Sequence, residues 1–248
     1  MVDLNDSVWR GLDSAGGNAA EALRRVLEGG GAFRENMAIL GENLSHQLTW
    51  YSATACVLPH LAALCPRLSP ADRMFLIAQM GPAAAAEAEW PLSPGTDVYR
   101  EFYEGINGLR PVVKDLIQNH MDVLTAASEA DRAMFALGAL AFLGNRRRAY
   151  ALWHLSGYCW EEGPAACSCG WECELFDLTA DSEYLEAADI APWDGKSLKD
   201  EAVWLNGLLS RLGVEEIPLP RLYGTAACPE CGKREPYWTM FDCYWKAE

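Results

Sequence analysis

Cys228-Pro229-Glu230-Cys231-Gly232 is the segment whose residue types and spacing specify chemistry most directly. Two thiols in a C-P-x-C turn that ends on Gly aim both sulfurs at one point. Backbone N–H groups of such a turn can hydrogen-bond the thiolates, and Gly permits the tight geometry after the second ligand. One such knuckle supplies half of a tetrahedral zinc site. The other half is expected from Cys167-Ser168-Cys169-Gly170, again two cysteines in short range followed by Gly. Cys167, Cys169, Cys228 and Cys231 together make a four-cysteine set, which fits a closed structural zinc site with no open position for substrate. Cys173 or Cys243 could replace one of the four, and His154 is a poorer substitute. Trp171, Tyr237, Trp238, Tyr244 and Trp245 are placed to cover a small metal-nucleated pair of hairpins. Cys169 and Cys228 are 59 positions apart, whereas paired knuckles usually lie about 15–20 residues apart. The spacer begins a helix of its own: Ser197-Leu198-Lys199-Asp200 reads as a capping box, followed by Ala202, Leu205, Leu208 and Leu209. A helix is therefore expected between the two metal-binding turns.

The remaining cysteines read as thiols. Cys56 and Cys65 fall on helices and are expected in the core, while Cys159, Cys173 and Cys243 are more easily buried or surface thiols than ligands. A redox C-x-x-C normally opens a helix after a strand in a βαβ unit, and no such unit is visible. Nine cysteines is an odd number, and Met1 to Leu27 has no signal-peptide core, so a secreted disulfide framework is not expected. No apolar run approaches the ~18 residues of a membrane span. These features predict a soluble, cytoplasmic chain without membrane contact.

The 248 residues carry 35 acids and 20 bases, a net charge of −15. That balance argues against a general nucleic-acid binder and favours a basic or neutral partner. The acid excess is uneven: residues 1–157 hold 17 acids and 13 bases, and residues 158–248 hold 18 and 7. Most of the cysteines are also late. The expected division is a helical domain, 1–157, and a metal-bound module, 158–248.

The first part must supply the scaffold. Ala19–Leu27 lies between Gly-rich turns. Phe33, Met37, Leu40 and Leu44 form one helical stripe, and Tyr51 to Leu64 continues with Pro59 inside it. Ser69-Pro70-Ala71-Asp72 and Ser128-Glu129-Ala130-Asp131 are capping boxes that start two further helices. Pro82–Gly95 reads as a connector. Val98–Leu124 reads as one long helix or a pair broken near Gly105, Gly108 and Pro111, and Arg146–Leu155 as a last helix. Short helices in series predict a mainly α fold, either an α-solenoid or a compact helical bundle. Smaller features take bland readings: His46-Gln47 closes a turn, Arg146-Arg147-Arg148 is a solvated helix start rather than a phosphate grip, His60 and His120 have no role, and Glu161-Glu162 and Glu215-Glu216 are solvated loop charge.

Val8-Trp9 through Leu12, the Ala19–Leu27 and Phe33–Leu44 helices, Leu44-Ser45-His46-Gln47, Tyr51-Ser52-Ala53-Thr54-Ala55 and Leu58-Pro59-His60-Leu61 run in an order that resembles bacterial HEAT-like repeat proteins. The likeness covers about residues 8–80 well and 98–157 by helix rhythm. Gly29–Gly31 stands where a charged link is usual. The knuckles resemble zinc ribbons, and a CPxCG segment after Tyr-Gly, here Tyr223-Gly224, often accompanies such proteins. The resemblance implies an α-solenoid used as an interaction scaffold, with no catalytic residues to transfer. It leads to a non-catalytic protein–protein interaction scaffold whose helical end is sealed by a small zinc-bound α+β cap. A specific version is an antitoxin-like immunity protein whose acidic surface masks a basic toxin. The alternative is a zinc-dependent enzyme or nucleic-acid-modifying protein. The sequence contains no GxGxxG after a strand, GxxxxGK[ST], HExxH or GxSxG to support that alternative.

Overall fold

The computed structural model describes residues 1–29, 32–46, 49–88, 92–157, 162–177, 189–193, 200–215, 217 and 219–246. Among these the chain is mainly helical, with two small antiparallel hairpins in its last third. It divides into two compact units, Met1–Tyr150 and Ala151–Glu248. No helix of the described residues is long and apolar enough to cross a membrane.

The first unit holds α1 (Ala19–Glu28), α2 (Phe33–Ser45), α3 (Ala53–Leu64), α4 (Pro70–Ala86), α5 (Asp97–Asn119), the short α6 (Met121–Thr125) and α7 (Glu129–Leu143). Local sequence sets their starts. Ser69 Oγ accepts from the Asp72 backbone N–H at 3.2 Å and donates to the Asp72 carboxylate at 2.7 Å, with Pro70 at the first helical position. Ser128 and Asp131 repeat both bonds with the same lengths at α7. Thr96 caps α5 in the same way through the Tyr99 N–H. Each cap satisfies amide donors that a helix start otherwise leaves open.

Most helices pack on partners that are not their direct chain neighbours, although α1 also packs on α2. α1, α3 and α5 lie against one another in series, and so do α2, α4 and α7. The stripe Phe33, Met37, Leu40 and Leu44 is buried as expected. Every residue from Ala53 to Leu61 on α3 is buried, the mark of a helix surrounded by others.

Three sequence readings change here. The Val98–Leu124 segment is broken, but at His120 rather than near Gly105, Gly108 and Pro111, which lie inside α5. The glycines mark a close crossing instead of a break. A Cβ on Gly105 would lie 2.3 Å from Leu58 Cβ and 2.8 Å from the Leu58 carbonyl carbon, and one on Gly108 would lie 2.7 Å from Ala62 Cβ. Gly138 does the same for α7 against Ile77 of α4. Residues 82–86 are not connector: α4 runs through Pro82, because Ala83 to Ala86 favour helix and are buried. Arg146, at the start of α8 (Arg146–Gly157), is not solvated. Its Nε donates to buried Glu87 at 3.0 Å and an Nη donates to the Tyr103 hydroxyl at 2.7 Å, with the guanidinium over the Phe102 and Tyr103 rings. The unit division falls within α8.

The second unit contains β1 (Glu162–Ala166), β2 (Glu172–Asp177), α9 (Asp200–Leu212), α10 (Leu219–Leu222), β3 (Thr225–Ala227), β4 (Arg234–Pro236) and α11 (Tyr237–Lys246). β1 pairs with β2, with a register shift between Gly163 and Ala165, and β3 pairs with β4. α9 is the helix expected between the knuckles, with Ala202, Leu205, Leu208 and Leu209 buried. Ser197, Leu198 and Lys199 of its expected capping box lie outside the described residues.

Candidate metal centre

The two knuckles are the tips of the two hairpins. In the first, the Cys167 N–H donates to the Trp171 carbonyl at 2.8 Å and the Gly170 N–H donates back to the Cys167 carbonyl at 2.9 Å. In the second, the Cys228 N–H donates to the Lys233 carbonyl and the Gly232 N–H to the Cys228 carbonyl, both at 2.9 Å. Gly170 has φ 99° and Gly232 φ 70°, values that a side chain disfavours, so the Gly after each second cysteine is a conformational requirement.

The tips meet sulfur to sulfur. Cys167 Sγ lies 3.7 Å from Cys231 Sγ, and Cys169 Sγ lies 3.7 Å from Cys228 Sγ. All four sulfurs are within 4.8 Å of one another, so Cys167, Cys169, Cys228 and Cys231 could hold a metal ion. Cys173 and Cys243 are not in this group; Cys173 sits on β2 and Cys243 on α11. Cys159 and the His154 side chain lie outside the described residues. Cys56 and Cys65 are buried in the first unit as expected, and burial pushes both thiols up to about 11, which keeps them protonated.

The Cys167, Cys169 and Cys228 thiols are not shifted alike. The Cys169 backbone N–H points at the Cys167 sulfur, and hydrogen bonds from the other thiols add to it, so that thiol is lowered to about 7. Burial raises the Cys228 thiol. At Cys169 the Trp171 amide favours the thiolate, but desolvation and the hydrogen bonds with the other three sulfurs outweigh it and the thiol is raised. The Cys167 thiolate thus accepts from Cys169 and Cys228, whose thiols are raised.

Sequence reasoning missed the residues that brace the tips. Lys233 Nζ donates to Ser168 Oγ at 3.2 Å, crossing from one hairpin to the other, and pairs with Glu235. That pairing, aided by the Cys167 and Cys231 sulfurs, raises the Lys233 ammonium, which therefore stays charged beside the thiolates. The cover is also richer than expected. Trp171 and Tyr237 take part, and Phe176 and Phe241 complete a chain of rings with centroids 5.2, 6.3 and 6.4 Å apart from Trp171 to Phe176 to Tyr237 to Phe241, on which Trp238 stacks at 5.7 Å from Phe241; the Trp245 side chain lies outside the described residues. The period-two placement of Phe176 on β2 and the i+4 placement of Phe241 after Tyr237 are the signals that could have found them. The Tyr237 hydroxyl donates to the Pro164 carbonyl at 3.2 Å, tying α11 to the irregular step of β1.

The other polar residues singled out in the sequence do not join a site. His46 is exposed, 3.5 Å from Glu42 of its own helix, and Gln47 is outside the described residues. The turn there is closed by Thr54, whose hydroxyl donates to the Leu44 carbonyl at 3.2 Å. His60 Nε2 lies 2.7 Å from the Val2 carbonyl, and His120 lies 3.4 Å from Asp115. Comparison with protein-family models, curated proteins and solved structures finds no match for the chain.

Proposed function

We propose that the four cysteines hold one zinc ion in a closed structural site, and that the protein is a non-catalytic scaffold for contact with another protein. The observation that carries the metal reading is the sulfur geometry. Zinc binds thiolate at ~2.3 Å, and a tetrahedron edge is ~1.6 times the bond length, so zinc-bound sulfurs lie about 3.8 Å apart. Two of the six sulfur separations are 3.7 Å and none exceeds 4.8 Å. A disulfide would require about 2.05 Å. Four thiolates fill a tetrahedral ion and leave no position for a reacting water, which favours structural over catalytic zinc.

The scaffold reading draws on the helices. The two series α1–α3–α5 and α2–α4–α7, joined by the α1–α2 contact, support stacking of the kind a HEAT-like α-solenoid has. The net charge of −15 favours a basic protein partner, of which the antitoxin-like reading is one version.

Metal analysis and zinc-edge X-ray absorption spectroscopy of the purified protein test the zinc site. The expected result is one zinc per chain with four sulfurs at ~2.3 Å; nitrogen or oxygen ligands, or no metal, would count against it. A Cys228→Ser variant should lose the metal and show faster amide exchange at the turn tips, residues 167–170 and 228–232, while α1 to α7 keep their protection. For the scaffold, co-purification from the native host at low and high salt should yield a basic partner that salt removes.

A further inference from the structure

The four sulfurs are not equally exposed. Cys167 and Cys228 are buried, whereas Cys169 and Cys231 are exposed. The 3.7 Å contacts run between hairpins, Cys167 to Cys231 and Cys169 to Cys228. Each contact therefore pairs one exposed sulfur with one buried sulfur, and the two contacts use all four cysteines once. An exposed thiolate that an oxidant can reach, beside a second thiolate that can attack the product, is the arrangement of a reversible oxidation site. We infer that a peroxide converts this junction from a metal-held to a disulfide-held state, forming Cys169–Cys228 and Cys167–Cys231 and releasing the ion.

The steps balance. The Cys169 thiolate attacks one peroxide oxygen, the O–O bond breaks, and hydroxide leaves, giving a sulfenic acid. The Cys228 thiolate attacks that sulfur, the S–O bond breaks, and a second hydroxide leaves with the disulfide formed. Cys231 and Cys167 repeat the sequence. Four thiolates thus lose four electrons, two peroxides become four hydroxides, and the metal dication departs because its ligands are consumed. The sulfurs must close from 3.7 Å to a disulfide bond, a movement of under about 2 Å shared between two side chains at turn tips. Pairing within the first turn is less favoured, since Cys167 and Cys169 are separated by one residue in a turn already set by the Cys167–Trp171 and Gly170–Cys167 bonds, and this leaves each of them the sulfur 3.7 Å away on the second turn. The cross-hairpin pairs span 64 and 59 positions and so keep the tips joined after the ion has gone. The release of the ion rests on the zinc reading above; the pairing rests on the sulfur positions alone.

The test uses the full-length protein with its metal content measured first, treated without air with stoichiometric hydrogen peroxide. A zinc-binding dye follows release, and non-reducing peptide mapping follows the disulfides. One zinc should leave for every two peroxides, the peptide holding Cys167 and Cys169 should be cross-linked to the one holding Cys228 and Cys231, and thiol reductant with added zinc should reverse both. Protein stripped of metal under reducing conditions should give the same cross-link, and so should the Cys167→Ser, Cys231→Ser double variant through Cys169 and Cys228. Disulfides within each turn, bonds to Cys173 or Cys243, or accumulation of sulfinic acid without cross-link would overturn the inference. A wild-type protein purified without zinc that still forms the cross-link would sink the zinc reading and leave the pairing standing.

Discussion

If the four thiols are the ligands, metal affinity must depend steeply on pH, and the structure fixes how steeply. A zinc ion needs thiolates, so every proton still on sulfur in the metal-free protein is released on binding. Cys169 and Cys228 are raised above the ordinary thiol range and carry their protons at neutral pH. Cys167, lowered to about 7, is half ionised there and protonated below. Binding therefore displaces at least two protons near neutrality, and the count rises as the pH falls through the Cys167 value. Each proton contributes about tenfold in affinity per pH unit, so affinity should climb at least roughly 100-fold between pH 6 and pH 7. The metal-free state, folded or unfolded, holds more protons than the bound state, so stability in the presence of zinc rises with pH and is lost on acidification. Competition with a chromophoric chelator of known proton affinity, at fixed ionic strength across that range, measures the slope. A change of tenfold or less per pH unit would show that fewer than two thiols give up protons, and the assignment of Cys169 and Cys228 as ligands would fail.

Glycine substitutions should act with opposite sign in the two units. Gly105→Ala gains about 1 kcal/mol of helix propensity but forces overpacking against Leu58 and the backbone of Pro59 at about 1–3 kcal/mol or more, and denaturant unfolding should show net destabilisation. Gly207→Ala on α9 meets nothing within 4 Å, so it should raise stability by about 0.5–1 kcal/mol. Glu87→Ala should cost about 3–5 kcal/mol by leaving Arg146 charged and largely buried without its carboxylate, and the Glu87→Leu, Arg146→Leu pair should cost less than either change alone; additive costs would show that the pair does not act as a unit.

What could be read from the sequence was what is decided within a few residues. The Ser69 and Ser128 caps depend on a side chain three positions from its amide, and both appear as expected. The knuckles were legible for the same reason: two cysteines and a Gly encode a turn that aims two sulfurs, whatever follows. Joining Cys167 and Cys169 to Cys228 and Cys231 across the spacer needed a further argument, that half a tetrahedron is unstable alone. Misreadings came where a distant partner decides. Gly105 and Gly108 look like helix breakers until α3 is laid against them, and Pro82 looks like a linker until Ala83 to Ala86 are seen in the core. Arg146 looks solvated because Glu87 is 59 positions earlier.

The two units solve the problem of stability differently, and the difference locates the purpose of the sulfur junction. The first unit buries whole helices, so its core closes on itself. The second builds on two hairpins whose paired strands are three to six residues long, and an isolated two-stranded hairpin is marginal in water. The ring chain starts beside the first tip at Trp171 and runs to Phe176, Tyr237 and Phe241 at the bases, where the Tyr237–Pro164 bond adds to it. The tips are only partly covered: Trp171 is buried beside the first, but Cys169 and Cys231 are exposed, and the described polar bond across them is Lys233 to Ser168. A fastening at the tips therefore adds what the base lacks, a second fixed point that prevents the hairpins from splaying about the aromatic hinge. On the proposal that the four sulfurs hold an ion, that ion supplies this point without more core, a role that asks for a saturated coordination shell rather than an open one.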